Sequence, residues 1–314
     1  MGVFVTGGQG YVGSHVTRLL ALQGKNPTVI DNNSGSNVYP QLLGVKYVNA
    51  SINDDSSIQV LTDLFATDPE GIVIHLSGLK SVENSISSPE LYSEINFGST
   101  VNVLNAMKNA GLDRIIFSSS AAVYGQGESY VTEVSPVAPI SQYGKIKLEE
   151  EQIIKKFVND FSGKSAILRF FNVVGCAMPE LREINGGNLF PMIAQAISHQ
   201  KKFKIFGNKY NTQDGTCVRD YVDVQDVANA IEKAVSKIQY SDLGVLNIGS
   251  GKSTSVLEIV KKVNQLHNFE YEFTDARSGD IPQLVANISR ACTDLDWIPR
   301  YGIDKSINSS FLSM

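Results

Sequence analysis

Three residues in the middle of the chain could together perform acid–base chemistry on a hydroxyl group. Tyr143 and Lys147 are four positions apart at the start of a helical pattern, so they share one face of the helix. A lysine ammonium favours the phenolate, and a tyrosine brought below its usual pKa of about 10 acts as a base near neutral pH. Ser120 follows a buried segment and is expected to hydrogen-bond the reacting hydroxyl, whereas Ser118 and Ser119 are interpreted as polar residues of a strand end. Alone, such a tyrosine–lysine pair is also typical of a helix surface.

A glycine-rich turn near the N-terminus predicts a site for a dinucleotide. Residues 6–13 read Thr-Gly-Gly-Gln-Gly-Tyr-Val-Gly, with Gly7, Gly10 and Gly13 between a strand-like and a helix-like segment. The glycines permit a tight turn and close approach of a pyrophosphate, which the N–H groups of the helix start then bind. Asp31 ends the next strand-like segment, where a carboxylate accepts the ribose hydroxyls of NAD and repels the extra phosphate of NADP. The predicted cofactor is therefore NAD.

The elements that must position these residues alternate between strands and helices. Strands are predicted at 3–6, 28–30, 45–48, 72–75, 114–118 and 166–170, and helices near 11–23, 55–67, 90–110 and 142–160. This alternation predicts an α/β fold with a Rossmann-like doubly wound parallel sheet, buried on both faces. The reactive residues then lie at the carboxyl edge of the sheet, where such sheets bind ligands.

The pattern changes after about residue 172, which predicts a smaller, interleaved C-terminal substrate lobe. A loop is expected over 173–190, strands near 203–207 and 245–248, and helices near 189–200, 226–238 with Asp226 as N-cap, and 256–266 with a capping box of Ser255 and Glu258. We expect an NAD-binding domain over 1–172 and a lobe over 173–314 that mainly binds substrate. Residues of about 208–240 are expected to return to the first domain.

Composition and charge narrow the class of partner. The net charge of −5 gives no electrostatic signature for nucleic acid or a membrane surface. No apolar segment has the roughly 18 residues of a membrane span, and the chain starts directly with a strand, so a cytoplasmic protein is expected. The three cysteines are far apart, which predicts reduced thiols and no metal site.

These motifs resemble those of the extended short-chain dehydrogenase/reductase family and, within it, the UDP-glucose 4-epimerases. The similarity extends nearly from end to end. It is carried by the stretches TGGQGYVGSH (6–15), GLKSV (78–82), FSSSAAVYG (117–125), YGKIK (143–147), LRFFN (168–172), DGTCVRDY (214–221) and RSGDIP (277–282). The stretches GLKSV and DGTCVRDY are the more specific, because relatives with other activities usually differ there.

The resemblance implies roles for individual residues. The catalytic residues would be Ser120, Tyr143 and Lys147. Contacts to NAD are implied for Gly7, Gly10, Tyr11, Val12, Gly13, Asp31, Asn32, Ile52, Leu76, Ser77, Gly78, Lys80, Asn96, Tyr143, Lys147 and Phe170. Contacts to a UDP-hexose are implied for Lys80, Ser120, Tyr143, Asn172, Asn188, Leu189, Phe206, Arg219, Arg277, Asp280 and Leu284. Phe206 is expected either to flank the uracil ring or to belong to the core.

The resemblance also implies an isomerase that interconverts UDP-galactose and UDP-glucose. Tyr143 would take the C4 hydroxyl proton while hydride passes transiently to NAD, which stays bound as a prosthetic group. The resulting 4-keto sugar would turn over in the site and receive the hydride on its opposite face. The long helices near 90–110 and 142–160 imply a homodimer with a four-helix interface.

Departures from the family pattern leave alternatives open. Ser51 stands where an adenine-contacting Asp is common, and Asp223 where a His is usual. Leu284 aligns with the residue that tunes tolerance of an N-acetyl group, and it is neither small nor a tyrosine, which favours non-acetylated sugars. A 4-epimerase of UDP-GlcNAc, UDP-GalNAc or a UDP-pentose remains open, as does a non-catalytic NAD-binding regulator.

Two other classes are disfavoured by single positions. Dehydratases of this fold need an acid–base pair, and related decarboxylases a Glu, where this chain has Ala121 and Ala122. Residues 249–254 read Gly-Ser-Gly-Lys-Ser-Thr and resemble a P-loop, but Leu246 occupies the position of its first glycine. This segment is therefore predicted to be a strand–turn–helix entry.

Overall fold

The structure is a computed structural model that describes residues 1–35, 37, 39–277 and 279–311. Its strands are β1 (Val3–Thr6), β2 (Thr28–Asp31), β3 (Lys46–Asn49), β4 (Ile72–His75), β5 (Arg114–Ser120), β6 (Tyr130–Val131), β7 (Lys164–Phe170), β8 (Asn172–Val174), β9 (Phe203–Phe206), β10 (Val218–Asp223), β11 (Gly244–Ile248), β12 (Ser253–Ser255), β13 (Tyr271–Thr274) and β14 (Gln283–Ala286). Its α-helices are α1 (Tyr11–Leu22), α2 (Ser57–Phe65), α3 (Val82–Ser87), α4 (Pro89–Tyr92), α5 (Gly98–Ala110), α6 (Gln142–Phe161), α7 (Leu189–Ser198), α8 (Val224–Lys237), α9 (Val256–His267), α10 (Ser289–Leu295) and α11 (Ile303–Phe311). A π-helical segment, Ser93–Phe97, joins α4 to α5, and short 3-10 turns lie at Ala121–Val123 and Pro179–Leu181.

Seven parallel strands form the large sheet in the order β11-β7-β5-β4-β1-β2-β3. From β1 the chain builds outward through β2 and β3, and then continues on the other side of β1 with β4, β5 and β7. The strand order therefore reverses between β1 and β4, the kind of position where open α/β sheets bind ligands. The predicted Rossmann-like doubly wound sheet is confirmed.

Alternate residues of the central strands belong to two separate cores. Val3 and Val5 of β1 lie in one apolar cluster with α1 and α8, whereas Phe4 lies in a second cluster with α2, α5 and α6. Successive side chains of a strand point to opposite faces, and here helices cover both faces. This arrangement explains why the strands are continuously apolar in sequence.

The C-terminal part of the chain builds a second lobe around a third apolar cluster, to which α7, α9 and α11 contribute. Its strands form a sheet in the order β12-β10-β14-β6, with β8 paired to β10, and a separate pair of β9 and β13. The chain returns to the large sheet with α8, which packs on α1, and with β11, which pairs with β7. Helix α10 and Trp297 also belong to the apolar cluster of α1 and α8, and the return of residues of about 208–240 to the first domain stays a prediction. The division into domains at residue 172 stays a prediction.

Two predicted helices differ in their details. The helix predicted over 90–110 is interrupted by the π-helical segment, a kind of irregularity that is frequent at functional sites. Helix α8 begins at Val224, because the Asp223 carboxylate caps it by accepting the N–H of Gln225 at 2.9 Å. Asp226, the predicted cap, lies inside the helix and accepts backbone N–H groups from the segment before α11.

Two negative observations concern the described part of the chain. No helix in it is long and apolar enough to cross a bilayer. No cluster of His, Cys, Asp or Glu side chains among these residues could hold a metal ion.

Candidate active site

The turn between β1 and α1 has a conformation that requires its glycines. Gly7 has a φ of +69°, and a Cβ on it would lie 2.6 Å from the backbone nitrogen of Ser77. A Cβ on Gly13 would lie 2.1 Å from the Gly7 carbonyl oxygen. Helix α1 begins at Tyr11 after Gly10, with no side-chain cap and no acidic residue in its first turn. Its first N–H groups are therefore oriented for an anion, and the turn fits the pyrophosphate of a dinucleotide.

Asp31 lies at the C-terminal end of β2, beside this turn. Its carboxylate accepts the backbone N–H groups of Gln9 and Asn33, both at 2.9 Å. Asn32 is exposed, and its amide donates to the Ser51 hydroxyl at 3.3 Å. The two backbone donors fix the Asp31 carboxylate at the mouth of the glycine turn, which is the position that a ribose-binding carboxylate requires.

Asn96 holds the loop after β4. Its side-chain oxygen accepts the N–H of Leu79 at 2.7 Å, and its amide nitrogen donates to the Leu79 carbonyl at 2.9 Å. Gly78 has a φ of +149°, and a Cβ on it would lie 3.2 Å from the Asn96 side chain. Asn96 was expected to contact the cofactor, but its amide is engaged by this loop, which carries Lys80. Its contact with NAD stays a prediction.

Lys80 extends from this loop to the segment between β8 and α7. Its ammonium forms an ion pair with the carboxylate of Glu183 and lies 5.5 Å from the centroid of the Tyr11 ring. Asn188 also donates to the Glu183 carboxylate, at 3.3 Å. Sequence reasoning missed Glu183, because 103 positions separate it from Lys80 and no local pattern links them.

The remaining predicted cofactor residues lie around the same edge of the sheet. They are found in the first turn of α1 (Tyr11, Val12), after β3 (Ile52), after β4 (Leu76, Ser77) and at the end of β7 (Phe170).

The three serines that end β5 have different partners. Ser118 donates to a backbone carbonyl of β4 at 3.1 Å, and Ser119 donates to the Glu151 carboxylate at 2.6 Å. The Ser120 hydroxyl accepts the N–H of Ala122 at 3.2 Å, and it lies close enough to Tyr143 to lower the pKa of the phenol. Two of the hydroxyls are therefore engaged by the protein interior, and the third lies beside the tyrosine.

Helix α6 brings Tyr143 and Lys147 close to this strand end. It begins after Ser141, whose hydroxyl accepts the N–H of Gly144 at 3.1 Å. A Cβ on Gly144 would lie 2.5 Å from the carbonyl oxygen of Ala122, so only glycine allows the helix to approach the turn after β5 this closely. The sequence signal was present, since Gly144 directly follows the tyrosine, but its role depends on a contact between distant segments.

The electrostatics of Tyr143 differ from the expectation. Burial raises the pKa of Tyr143, the charge of Lys147 lowers it, Glu150 raises it and the Ser120 hydrogen bond lowers it. The net shift is upward, so the prediction that Lys147 brings this pKa below its usual value is wrong for the protein groups alone. The main reason is burial of the Tyr143 phenol, which outweighs the charge of Lys147, and the Glu150 carboxylate, 3.0 Å from the Lys147 ammonium, adds to the upward shift.

Several predicted substrate residues lie together on the second lobe. The guanidinium of Arg277 stacks on the Phe206 ring at 3.8 Å from its centroid. Arg219 donates to the carbonyl of Ile281 at 2.6 Å, and its guanidinium lies 4.0 Å from the Asp280 carboxylate. Phe206 is half-buried beneath an arginine and lies outside the core cluster.

Leu284 lies closer to the reactive residues. It is buried in a small apolar cluster with Ala121 and Phe171, next to the end of β5. Asn172 is exposed at the start of β8, and Leu189 is the first residue of α7. These positions border the space between the two lobes from different elements.

In the segment that resembles a P-loop, the backbone N–H groups bind a side-chain carboxylate of the protein itself. The Asp220 carboxylate accepts the N–H and the hydroxyl of Ser250, at 2.6 and 2.8 Å, and the N–H of Gly251 at 2.9 Å. The segment joins β11 to β12 and α9, as the predicted strand–turn–helix entry requires. Its backbone donors are occupied by a side chain of the same lobe.

Fold and site together define a dinucleotide-binding α/β protein with serine, tyrosine and lysine at the carboxyl edge of its sheet. The sequence profile of the NAD dependent epimerase/dehydratase family matches residues 3–249, and the chain belongs to this family. The UDP-glucose 4-epimerase of Bacillus subtilis is 36% identical over 99% of this chain and 96% of its own length.

Solved structures of UDP-glucose 4-epimerases have the same fold. The enzyme from Stenotrophomonas maltophila, with bound NAD and formylated UDP-arabinopyranose, is 31% identical, covers 99% of this chain and 97% of its own, and has a TM-score of 0.90. The enzyme from Bifidobacterium longum, in complex with NAD+ and UDP, is 33% identical with the same coverage and a TM-score of 0.90. The predicted family and fold class are confirmed.

Proposed function

We propose that this protein is an isomerase that interconverts UDP-galactose and UDP-glucose at C4, with NAD as a bound prosthetic group. The observation that carries the proposal is the convergence of Ser120, Tyr143 and Lys147 at the sheet edge that also holds the glycine turn and Asp31. Similarity over the full chain to UDP-glucose 4-epimerases supports the same activity.

The three residues divide the proton chemistry between them. Ser120 hydrogen-bonds the C4 hydroxyl, and Tyr143 takes its proton and later returns it. Lys147 stabilises the phenolate form of Tyr143 against the effect of burial. The glycine turn and Asp31 would hold NAD, which when bound would supply the reversible oxidation of C4 and a positive charge beside that of Lys147.

The two residues after Ser120 disfavour elimination of water from the sugar. Ala121 and Ala122 follow Ser120 directly and have no proton to give or accept. Tyr143 is then the group that exchanges a proton with the sugar, so the sugar leaves with the same atoms in an inverted arrangement.

The second lobe would anchor the nucleotide. An arginine fork matches a diphosphate, and Arg219 and Arg277 lie on neighbouring segments of that lobe. Phe206, which already stacks on Arg277, offers a flat apolar face to a base. Leu284 fills the space next to Ala121, which favours hexoses without an N-acetyl group over UDP-GlcNAc or UDP-GalNAc.

We further propose a cytoplasmic homodimer and a functional division of the chain near residue 172. Exposed apolar side chains near the proposed interface are Ile86 on α3, Leu91 on α4 and Phe161 at the end of α6. Light scattering across a wide concentration range tests the dimer, and a monomer mass at every concentration would refute it.

The function is tested by turnover without added cofactor. Purified protein is incubated separately with UDP-galactose, UDP-GalNAc and UDP-arabinose, and the C4 epimer is quantified. We expect UDP-glucose from the first, loss of product in Tyr143→Phe, and normal product in the control Tyr240→Phe, whose ring is 84% exposed. Faster conversion of either other sugar would move the assignment to that substrate. No epimer from any of them, even after NAD is added, would favour the non-catalytic NAD-binding regulator.

A further inference from the structure

A buried carboxylate lies next to the proposed catalytic pair. Glu150 is 0% exposed, and its carboxylate lies 3.0 Å from the Lys147 ammonium. Its other oxygen accepts the hydroxyl of Thr100 on α5 at 2.6 Å. A buried carboxylate without a partner is strongly destabilising. The Glu150 oxygen that faces Lys147 accepts no hydrogen bond, so the lysine charge is what compensates it.

The hydrogen bonds continue from Glu150 to the first strand of the sheet. The Thr100 hydroxyl lies 3.0 Å from Nε2 of His75, and Nδ1 of His75 lies 2.7 Å from the Thr6 hydroxyl. All four residues are 0% exposed. Because the Thr100 proton goes to the carboxylate, its oxygen accepts from His75, which is then protonated at Nε2 and accepts from Thr6 at Nδ1.

These hydrogen-bonded residues determine which side chains near Tyr143 carry a charge. Burial and the charge of Lys147 lower the pKa of His75 to about 3, so the imidazole is neutral at physiological pH. The charged groups beside Tyr143 are then Lys147 and Glu150, with the Tyr92 phenol as the further titratable neighbour. The negative charge of Glu150 therefore determines how strongly Lys147 stabilises the Tyr143 phenolate.

We propose that Glu150 is a positioning residue that holds the Lys147 ammonium in place and sets the pH at which Tyr143 becomes a base. The proposal rests on the proposed function of Tyr143 and Lys147. Thr100 orients the Glu150 carboxylate, and through it α5 and β4 support the pair on α6. Glu150→Gln keeps a polar side chain of the same shape beside Lys147 and Thr100 and removes only the negative charge, so more positive charge remains beside the phenol and the phenolate is stabilised.

The test compares Glu150→Gln with Glu149→Gln, an identical change at the exposed neighbouring position of the same helix. In the plot of kcat/KM against pH, we expect the acid limb of Glu150→Gln to lie about one unit lower in pH than that of the unmodified protein. The KM for the sugar nucleotide should be nearly unchanged. Glu149→Gln should keep the profile of the unmodified protein. A residue with only a structural role would lower kcat without moving the limb.

A second readout does not depend on turnover. Ionisation of Tyr143 is followed by ultraviolet difference titration of the NAD-containing protein. Because the chain has 12 tyrosines, the titration of the matching Tyr143→Phe variant is subtracted in each background. A lower midpoint of the Tyr143 titration in Glu150→Gln supports the proposal, whether or not a sugar is turned over. If no sugar is turned over, the proposed function alone fails. An unchanged midpoint in a folded Glu150→Gln protein overturns the proposal.

A stability cycle covers the case in which Glu150→Gln alone does not fold. Lys147→Met leaves the Glu150 carboxylate buried without its cation, so the double variant Lys147→Met/Glu150→Gln should melt several degrees above Lys147→Met. Recovery of folding in the double variant supports the coupling. If the decreases in melting temperature of the two single variants simply add up in the double variant, the coupling is overturned.

Discussion

Replacing Arg169 with Met should destabilise the protein strongly, although Arg169 belongs to no predicted site. Its guanidinium makes two hydrogen bonds to the Glu151 carboxylate, at 2.8 and 2.7 Å, and stacks on the Tyr124 ring at 4.8 Å from its centroid. Arg169 is 3% exposed and Glu151 is fully buried. Ser119 donates to the same carboxylate, so the pair ties α6 and β7 to the end of β5.

The size of the effect follows from this burial. Removing one partner of a buried ion pair costs about 3–5 kcal/mol, because the other charge stays buried. Glu151 would keep only the half-exposed Lys155, whose ammonium lies 3.5 Å from its carboxylate. For a chain of this size each kcal/mol lowers the melting temperature by roughly 2–4 °C, so Arg169→Met should melt about 6–20 °C below the unmodified protein. Lys156→Met, which breaks an exposed ion pair with Asp160 on α6, should change stability by less than about 0.5 kcal/mol.

The pH dependence gives an independent check. Burial alone would raise the pKa of Glu151, but the hydrogen bonds and charge of Arg169 and the Ser119 hydroxyl hold it below its usual value of 4.5. A carboxyl whose pKa is depressed by folding contributes stability above its unfolded pKa, and this stability is lost as the pH falls through the folded value. The difference in melting temperature between the protein and Arg169→Met should therefore narrow below about pH 4.5. A variant that melts within about 2 °C of the unmodified protein at neutral pH, or a difference that does not narrow in acid, would refute the reasoning.

Three further predictions concern other polar groups of the fold. Asp31→Ala removes the carboxylate at the mouth of the glycine turn, and the NAD released on denaturing the purified protein should fall at least about tenfold; an unchanged NAD content would show that Asp31 only ends its strand. Asp220→Ala leaves the N–H groups of Ser250, Gly251 and the buried Ala286 without their acceptor, so urea unfolding should report a loss of about 3 kcal/mol or more, and a loss below about 1 kcal/mol would contradict this. Burial lowers the pKa of His15 to about 4 and that of His75 to about 3 from 6.5. Both then contribute stability above pH 6.5 that is lost as the pH falls towards these values, and His15→Gln should reduce the slope of unfolding free energy against pH between about 6.5 and 4.

The large sheet could be predicted from sequence because each of its strands carries a local signal. Buried parallel strands are continuously apolar and alternate with helices of regular period, so bounds such as those of β4 were correct to the residue. Strands of the second lobe were missed where they are short or polar. β10 reads Val-Arg-Asp-Tyr-Val-Asp. Its buried Asp220 accepts backbone N–H groups from a distant segment, and its buried Asp223 accepts the N–H of Gln225 and the hydroxyl of the distant Ser306.

The positions of Ser120, Tyr143 and Lys147 were also accessible, since a strand end and a helix start locate them. Their electrostatic surroundings were not. Residues 149–151 are three consecutive glutamates, which in a sequence are typical of a solvated helix face. In the structure only Glu149 is exposed, and the partners of the other two come from α6 itself, α5, β5 and β7. A pairing that depends on tertiary contact leaves no periodic signal in one chain.

Helix α6 shows why two adjacent buried carboxylates have different functions. Successive helical residues point about 100° apart, so Glu150 is directed to Lys147 on the preceding turn and Glu151 to Arg169 on β7. The second contact crosses to another element and fixes the rotation of the helix, whereas the first stays within the helix and fixes a side chain. Replacing the Glu151–Arg169 pair by apolar residues of similar volume could retain stability, because well-packed apolar groups often match a buried ion pair. It would remove the bidentate geometry that sets the helix rotation, and with it the placement of Tyr143 against Ser120. We therefore expect a Glu151→Met/Arg169→Met variant to regain melting temperature relative to Arg169→Met but not kcat, and equal recovery of both would show that the ion pair contributes stability alone.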